Sequence, residues 1–247
     1  MDEESKRKMI LKYFEPFPGC AIWMIVIGVV ITLIGFSAGA FAIIMGLVIA
    51  GIGGLLIYSY RHGRPTDQQM DEWLEEDLKA LSKRALNKMG IDETELVSEP
   101  VQVIGPRLWD VAGAGVFFKR GDDYVLRFSP VGVTIINFTQ NQLLAYSCVF
   151  DLTTGNVLNE TTDEYFYKDV VSVSTKSESR TVTIEKLGTV QLNAAETFTL
   201  TTTGGTSLSV VLRDPTLIEK MGGGEIPTTR AEKAIQTVRK MLREKKT

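Results

Sequence analysis

Between Gly19 and Tyr60 the chain runs for 42 residues without one Asp, Glu, Lys, Arg or His. A water-soluble core helix of that length almost never goes uncharged, and the run is dominated by Ile, Leu, Val and Met, so its expected solvent is lipid. A hydrocarbon layer about 30 Å thick takes roughly 20 helical residues. A single helix would be about twice too long. The reading is therefore two transmembrane helices, Gly19 to Phe36 and Gly39 to Tyr60, with a tight turn at Ser37 and Ala38. Gly35 and Gly39 supply the permissive backbone that such a turn wants. A secretory leader fits poorly, because its apolar region is far shorter and a cleavage site normally follows it.

The flanks set the orientation. Lys6, Arg7, Lys8 and Lys12 precede the run, Arg61 and Arg64 follow it, and the turn is uncharged. The positive-inside rule then predicts a multi-pass protein of the cell (inner) membrane with both termini cytoplasmic. Trp23, Tyr58 and Tyr60 fall near the helix ends on that side, as interfacial aromatics do. Within the second helix Ala38, Ala42, Gly46, Ala50 and Gly54 recur at every fourth position, and Gly28, Thr32 and Gly35 form a shorter small face in the first. Small residues let helix backbones approach closely in lipid. The ladder either packs the hairpin on itself or joins copies of the chain; five rungs exceed what one short partner face requires, so a homo-oligomer is expected.

Four regions follow: an N-terminal cytoplasmic segment (1–18), the transmembrane hairpin (19–60), an amphipathic linker helix (61–96) and a cytoplasmic β-domain with a C-terminal helix (97–247). Net charge is +2 over 1–64, −5 over 65–96, −4 over 97–214 and +4 over 215–247, so the ends are basic and the middle acidic. In the linker, Thr66 and Gln69 make a capping box and Gly90 a stop, bounding a helix over 67–89. Met70, Trp73, Leu74, Leu78, Leu81, Ala85 and Met89 form one stripe along it. Acidic residues fill its first half and basic ones its second, which suits the helix dipole. An acidic start disfavours lying flat on an anionic leaflet, so the stripe should face protein, either the chain's own β-domain or a partner. Met70, Trp73, Leu74 and Leu81 are thus candidate partner contacts.

From about Val97 to Asp214 the apolar period becomes two. "YVLRFS", "GVTIINFT", "QLLAYSCVF", "EYFYKDVVSVST", "RTVTIEKL", "ETFTLTTT" and "SLSVVLRD" read as strands separated by turn signals such as Gly121-Asp122 and Gly204-Gly205. Seven or more strands in meander spacing predict an antiparallel barrel or sandwich. A Gly-rich connector, "MGGGEIP", leads to a final helix over 230–245, capped by Thr229 and Glu232, that would close one end of the β-domain. Arg239, Lys240, Arg243, Lys245 and Lys246 lie on its outer face as candidate contacts for anionic lipid.

With "YFYKDVVSVST" (165–175) and "AEKAIQTVRKMLREKK" (231–246), this α+β arrangement resembles the pleckstrin-homology (PH-like) domains of bacterial membrane-anchored proteins. The resemblance implies a seven-stranded β-domain closed by a helix behind transmembrane segments, and a role in binding lipid or peptide; fold does not settle which. One departure weighs against headgroup binding: the early hairpin offers Lys119, Arg120 and Arg127 with Asp122 and Asp123 among them.

Catalytic, cofactor and metal constellations do not assemble from this sequence. His62 is the only histidine, the cysteines Cys20 and Cys148 make no CxxC site, and no disulfide is expected between them. "DVAGAGVFF" (110–118) is glycine-rich, but strand-like residues follow it where a dinucleotide site needs a helix. Asp163, Glu164 and Asp169 lie in a strand region and need not converge. The expectation is a non-enzymatic, membrane-anchored scaffold or adaptor with a protein partner on its cytoplasmic domain and no nucleic-acid role. A small oligomeric channel with two spans per subunit, and a lipid sensor, are the alternatives.

Overall fold

The computed structural model describes residues 1–109, 111–205, 207–213, 215–225 and 229–245. The chain divides into two compact units, Met1–Thr66 and Asp67–Thr247.

The first unit holds three helices: α1 (Glu3–Phe14), α2 (Gly19–Ala38) and α3 (Ala40–Arg61). Helices α2 and α3 are each long and apolar enough to cross a membrane. Their outer side chains stand clear of protein, with Leu33 63%, Phe36 77% and Leu55 68% exposed. The turn is tighter than the sequence suggests. Ser37 and Ala38 remain helical, and Gly39 alone breaks the run at φ 111°, a conformation that glycine adopts without steric cost. Its N–H donates to the Gly35 carbonyl and its carbonyl accepts from Ala42, so α3 starts one residue later.

The helices touch through small residues, but along a different row from the every-fourth ladder. A Cβ added at Gly28 would lie 2.5 Å from the Ala50 nitrogen and 2.6 Å from the Gly46 oxygen; one at Gly35 would meet Ile43 and Ala42, and one at Gly53 would lie 2.7 Å from the Ala21 carbonyl. Gly46 faces Thr32 and the Gly28 carbonyl. At Gly54 and Gly51 an added Cβ meets nothing within 4 Å. The reason is helical geometry. Four residues advance about 400°, so an every-fourth row drifts about 40° per step, whereas seven residues return within about 20°. Ala21, Gly28 and Gly35 on α2 and Gly46 and Gly53 on α3 keep the seven-residue interval. Of the predicted ladder, Ala42, Gly46 and Ala50 serve the hairpin itself, Gly54 points away from it, and Ala38 belongs to α2, its side chain lying outside the described residues. The ladder therefore no longer argues for contact between copies.

The flanks of the hairpin meet. The Arg64 guanidinium donates to the Tyr13 and Glu15 carbonyls at the end of α1 and lies 4.1 Å from the Tyr60 ring centroid, while Lys12 Nζ donates to the His62 carbonyl at 3.0 Å. Phe17 packs edge-on against Tyr60. A cation at the open carbonyl end of a helix is favourable in itself.

In the second unit α4 (Asp67–Met89) comes first, then β1 (Val101–Pro106), β2 (Phe117–Arg120), β3 (Leu126–Ser129), β4 (Val131–Phe138), β5 (Gln142–Asp151), β6 (Asn156–Phe166), β7 (Val170–Ile184), β8 (Gly188–Thr202), β9 (Ser207–Arg213), α5 (Pro215–Lys220) and α6 (Thr229–Lys245). Gly90, at φ 65°, ends α4. The strands form antiparallel sheets in the orders β1-β4-β5-β6, β2-β3 and β7-β8-β9, and among the described residues no sheet closes into a barrel. The two larger sheets and α6 share one core: Ile136, Phe138, Leu143, Phe198, Leu200, Leu208, Val238 and Leu242 are all buried in it. The segment read as one strand, "EYFYKDVVSVST", is broken by a 3-10 turn at Tyr167–Asp169, where the chain passes from β6 to β7. The sequence reading also missed most of β6, because its "NETTDE" centre carries no apolar alternation.

Candidate docking groove

One cluster of ionisable side chains gathers at the second half of α4. Glu160 accepts from Tyr146 Oη at 2.6 Å, from Arg84 Nε at 2.6 Å and from Lys88 Nζ at 2.6 Å. The Arg84 hydrogen bond leads the interactions that hold its carboxyl well below the usual range, and burial, with the Glu160 contact, pushes the Tyr146 hydroxyl up. Burial also raises the Cys148 thiol to about 11, which keeps it protonated and poorly nucleophilic. This network was not legible in the sequence. It depends on a bulge in β6, where Asn159 at φ 50° and Glu160 together oppose Cys148. Asn before an acidic residue in a strand was the available signal, since Asn tolerates positive φ better than most residues.

A second ion cluster sits at the other end of α4. Arg127, 7% exposed, makes a paired contact with Asp71 (Nε to Oδ1 2.9 Å, Nη2 to Oδ2 2.7 Å) and another with Asp123, with Asp67 at 3.6 Å. Arg120 donates to the Gly222 carbonyl and lies over Tyr124. The early hairpin's arginines are thus committed within the chain.

Between these clusters α4 lies against its own sheet. Met70 and Leu81 are 4% and 3% exposed, and Ser82 Oγ accepts from Gln102 of β1. Offered as partner contacts, Met70 and Leu81 are corrected: of the two expected surfaces, the chain's own β-domain or a partner, they are buried against the former. Trp73 and Leu74, on the shoulder of the stripe, are half-buried.

A groove of about 350 Å³ stays open between β7 and α6, lined by Val170, Val171, Ser172, Val173, Arg239, Leu242 and Arg243. Among the described residues β7 pairs only with β8, so its other edge carries no ladder. Val171 is the extra residue where the register slips between Val170 and Ser172, and it is 54% exposed. Arg239 donates to Thr175 Oγ1 at 3.2 Å, which holds its guanidinium along the β7 edge. The other basic residues of α6 do not converge on one flat face. Lys240 pairs with Glu244 at 3.8 Å, Lys245 donates to Gln140 at 2.8 Å, and Lys246 lies outside the described residues.

Among the described residues no group of three or more His, Cys, Asp and Glu could hold a metal ion. His62 stacks on Tyr58. Compared with protein-family models, with curated proteins and with solved structures, the chain matches none.

Proposed function

We propose that this is a membrane-anchored recognition protein whose second unit is a PH-like adaptor domain in the cytoplasm, docking an extended acidic peptide of a partner protein along β7. The observation that carries the reading is the unladdered β7 edge with Arg239, Leu242 and Arg243 beside it. An edge strand offers main-chain donors and acceptors to an added strand, and a flanking pocket reads its side chains. Two arginines favour carboxylates in that strand. Support for the PH-like assignment is the succession of a four-stranded sheet, a three-stranded sheet and a helix over their shared core. Anchoring draws on the two apolar helices and on the contacts of Arg64 and Lys12, which keep both flanks at one end of the hairpin. The basic flanks then favour the cytoplasmic side. The committed Arg127 and the dispersed α6 lysines favour peptide over lipid headgroup.

Peptide display against the full chain in nanodiscs should enrich extended acidic sequences, and Arg239→Glu with Arg243→Glu should weaken the selected peptides about tenfold or more, as loss of two charge-assisted contacts implies. Selection without acidic enrichment, or equal binding by the double variant, would remove the groove from consideration.

A further inference from the structure

A second cleft in this unit lies beneath the first half of α4. It encloses about 470 Å³, within the size range of small-molecule pockets. Met70, Leu74 and Leu78 of α4 form one wall, and Leu126, Phe128 and Val131 the other. Met70, Leu78, Leu126, Phe128 and Val131 are each no more than 5% exposed, so the helix is seated on the sheet while leaving a gap that its own side chains do not fill. An unfilled apolar gap forfeits dispersion contacts unless something occupies it.

The mouth of the cleft has a definite sign. Asp71, Glu72 and Glu75 lie on its rim, Asp71 and Glu75 each with a side chain 56% exposed. Arg127, which also lines the cleft, is shared among Asp67, Asp71 and Asp123, and Lys79 contacts Glu75 at 3.3 Å. Gln68 donates to Glu72 and leaves its charge intact. Among the charged residues that line the cleft, three carboxylates therefore face one arginine around an apolar interior. An anionic amphiphile, such as a fatty acid, meets the wrong charge at the entrance. We propose that this cleft binds a lipophilic cation, a small molecule with one apolar chain or ring and a positively charged head, the chain lying between Leu74 and Phe128 and the head among Asp71, Glu72 and Glu75. The site is separate from the β7 groove, and its occupancy does not depend on that reading.

Met70 gives a local reporter. In full-length protein carrying methyl-labelled methionine, octyltrimethylammonium should shift the Met70 methyl signal saturably, while Met221 and Met241 stay still and Met24 and Met45 show only unsaturated partitioning. Octanesulfonate should bind at least about tenfold more weakly, an amount expected from several partly exposed charges acting together, and added salt should narrow the difference. Leu74→Trp should abolish the Met70 response by filling the gap, and Glu72→Lys with Glu75→Lys should reverse the charge preference while leaving the melting temperature nearly unchanged. Equal saturation by cation, sulfonate and neutral octyl glucoside would overturn the proposal in favour of an indiscriminate apolar void. A Met70 signal that ignores the ammonium but responds to a basic apolar peptide would overturn it in favour of a protein partner.

Discussion

Gly46→Val is expected to push the two apolar helices apart, whereas Gly54→Val leaves them in contact. A side chain at position 46 would begin 2.5 Å from both the Gly28 carbonyl oxygen and the Thr32 nitrogen. Both obstacles are backbone, which cannot rotate aside as a side chain can. The helices must separate along their length and surrender the close contacts at Gly28, Gly35 and Gly53 together. Overpacking in a repackable core costs about 1–3 kcal/mol, and a backbone collision belongs at or above the top of that range. Position 54 has nothing within 4 Å, so the same substitution there changes only what faces outward. Spin labels at Val29 and Leu47, both on exposed sides of their helices, report the separation directly. The distance between them should widen and broaden in Gly46→Val and Gly28→Val and hold in Gly54→Val. Widening in the Gly54 variant alone would place the contact on the every-fourth row instead.

That contrast also shows how far the sequence could be read. The apolar run, its division in two and the glycines near the turn were all legible, because length and the absence of charge act over dozens of residues. The contact row was not. The every-fourth and every-seventh rows of small residues cross at Gly46, and only the partner helix decides between Gly53 and Gly54. In the second unit the strands with regular alternation, such as β4 and β5, announced themselves, while β6 did not, because its "NETTDE" centre carries no apolar residue and the one side chain it turns inward, Glu160, is charged. The apolar stripe of α4 was visible, but which surface it covers depends on Arg127 and Glu160, residues 56 and 76 positions further along the chain than their partners Asp71 and Arg84. Local pattern names the face that must be buried, and only long-range pairing names what buries it. The β7 groove lies beyond sequence reading for the same reason: it joins a strand and a helix more than sixty residues apart.

Arg127→Met should loosen the first half of α4 and cost about 2–4 kcal/mol, below the loss usual when a fully buried ion pair is broken, because the carboxylates it leaves behind can reach water. The Arg127 side chain is 6% exposed, but those of Asp71 and Asp123 are 56% and 41% exposed. Hydrogen exchange along α4 separates the two ends: Arg127→Met should speed exchange near Asp71, and Arg84→Met near Lys88, each leaving the other half less affected. Uniform acceleration from either variant would mean that α4 detaches as one unit. The same ion clusters give a pH dependence of definite sign. The hydrogen bond from Arg127 leads in drawing Asp123 down from 3.8 to about 2, and the Arg84 hydrogen bond leads in drawing Glu160 down from 4.5. In both, the folded state binds the proton more weakly than the unfolded chain does. Their contribution to stability is therefore complete above the unfolded values and disappears as pH falls through the folded ones. These two carboxylates add no slope above about pH 5, and both favour unfolding as the pH is lowered from about 4 towards 2. Melting of the full chain in detergent should follow that course. Arg127→Met should lose the Asp123 part of the acid slope while keeping that of Glu160, and Arg84→Met with Lys88→Met should do the reverse. An acid slope unchanged in both variants would assign the acid sensitivity to carboxylates outside the two clusters that hold α4.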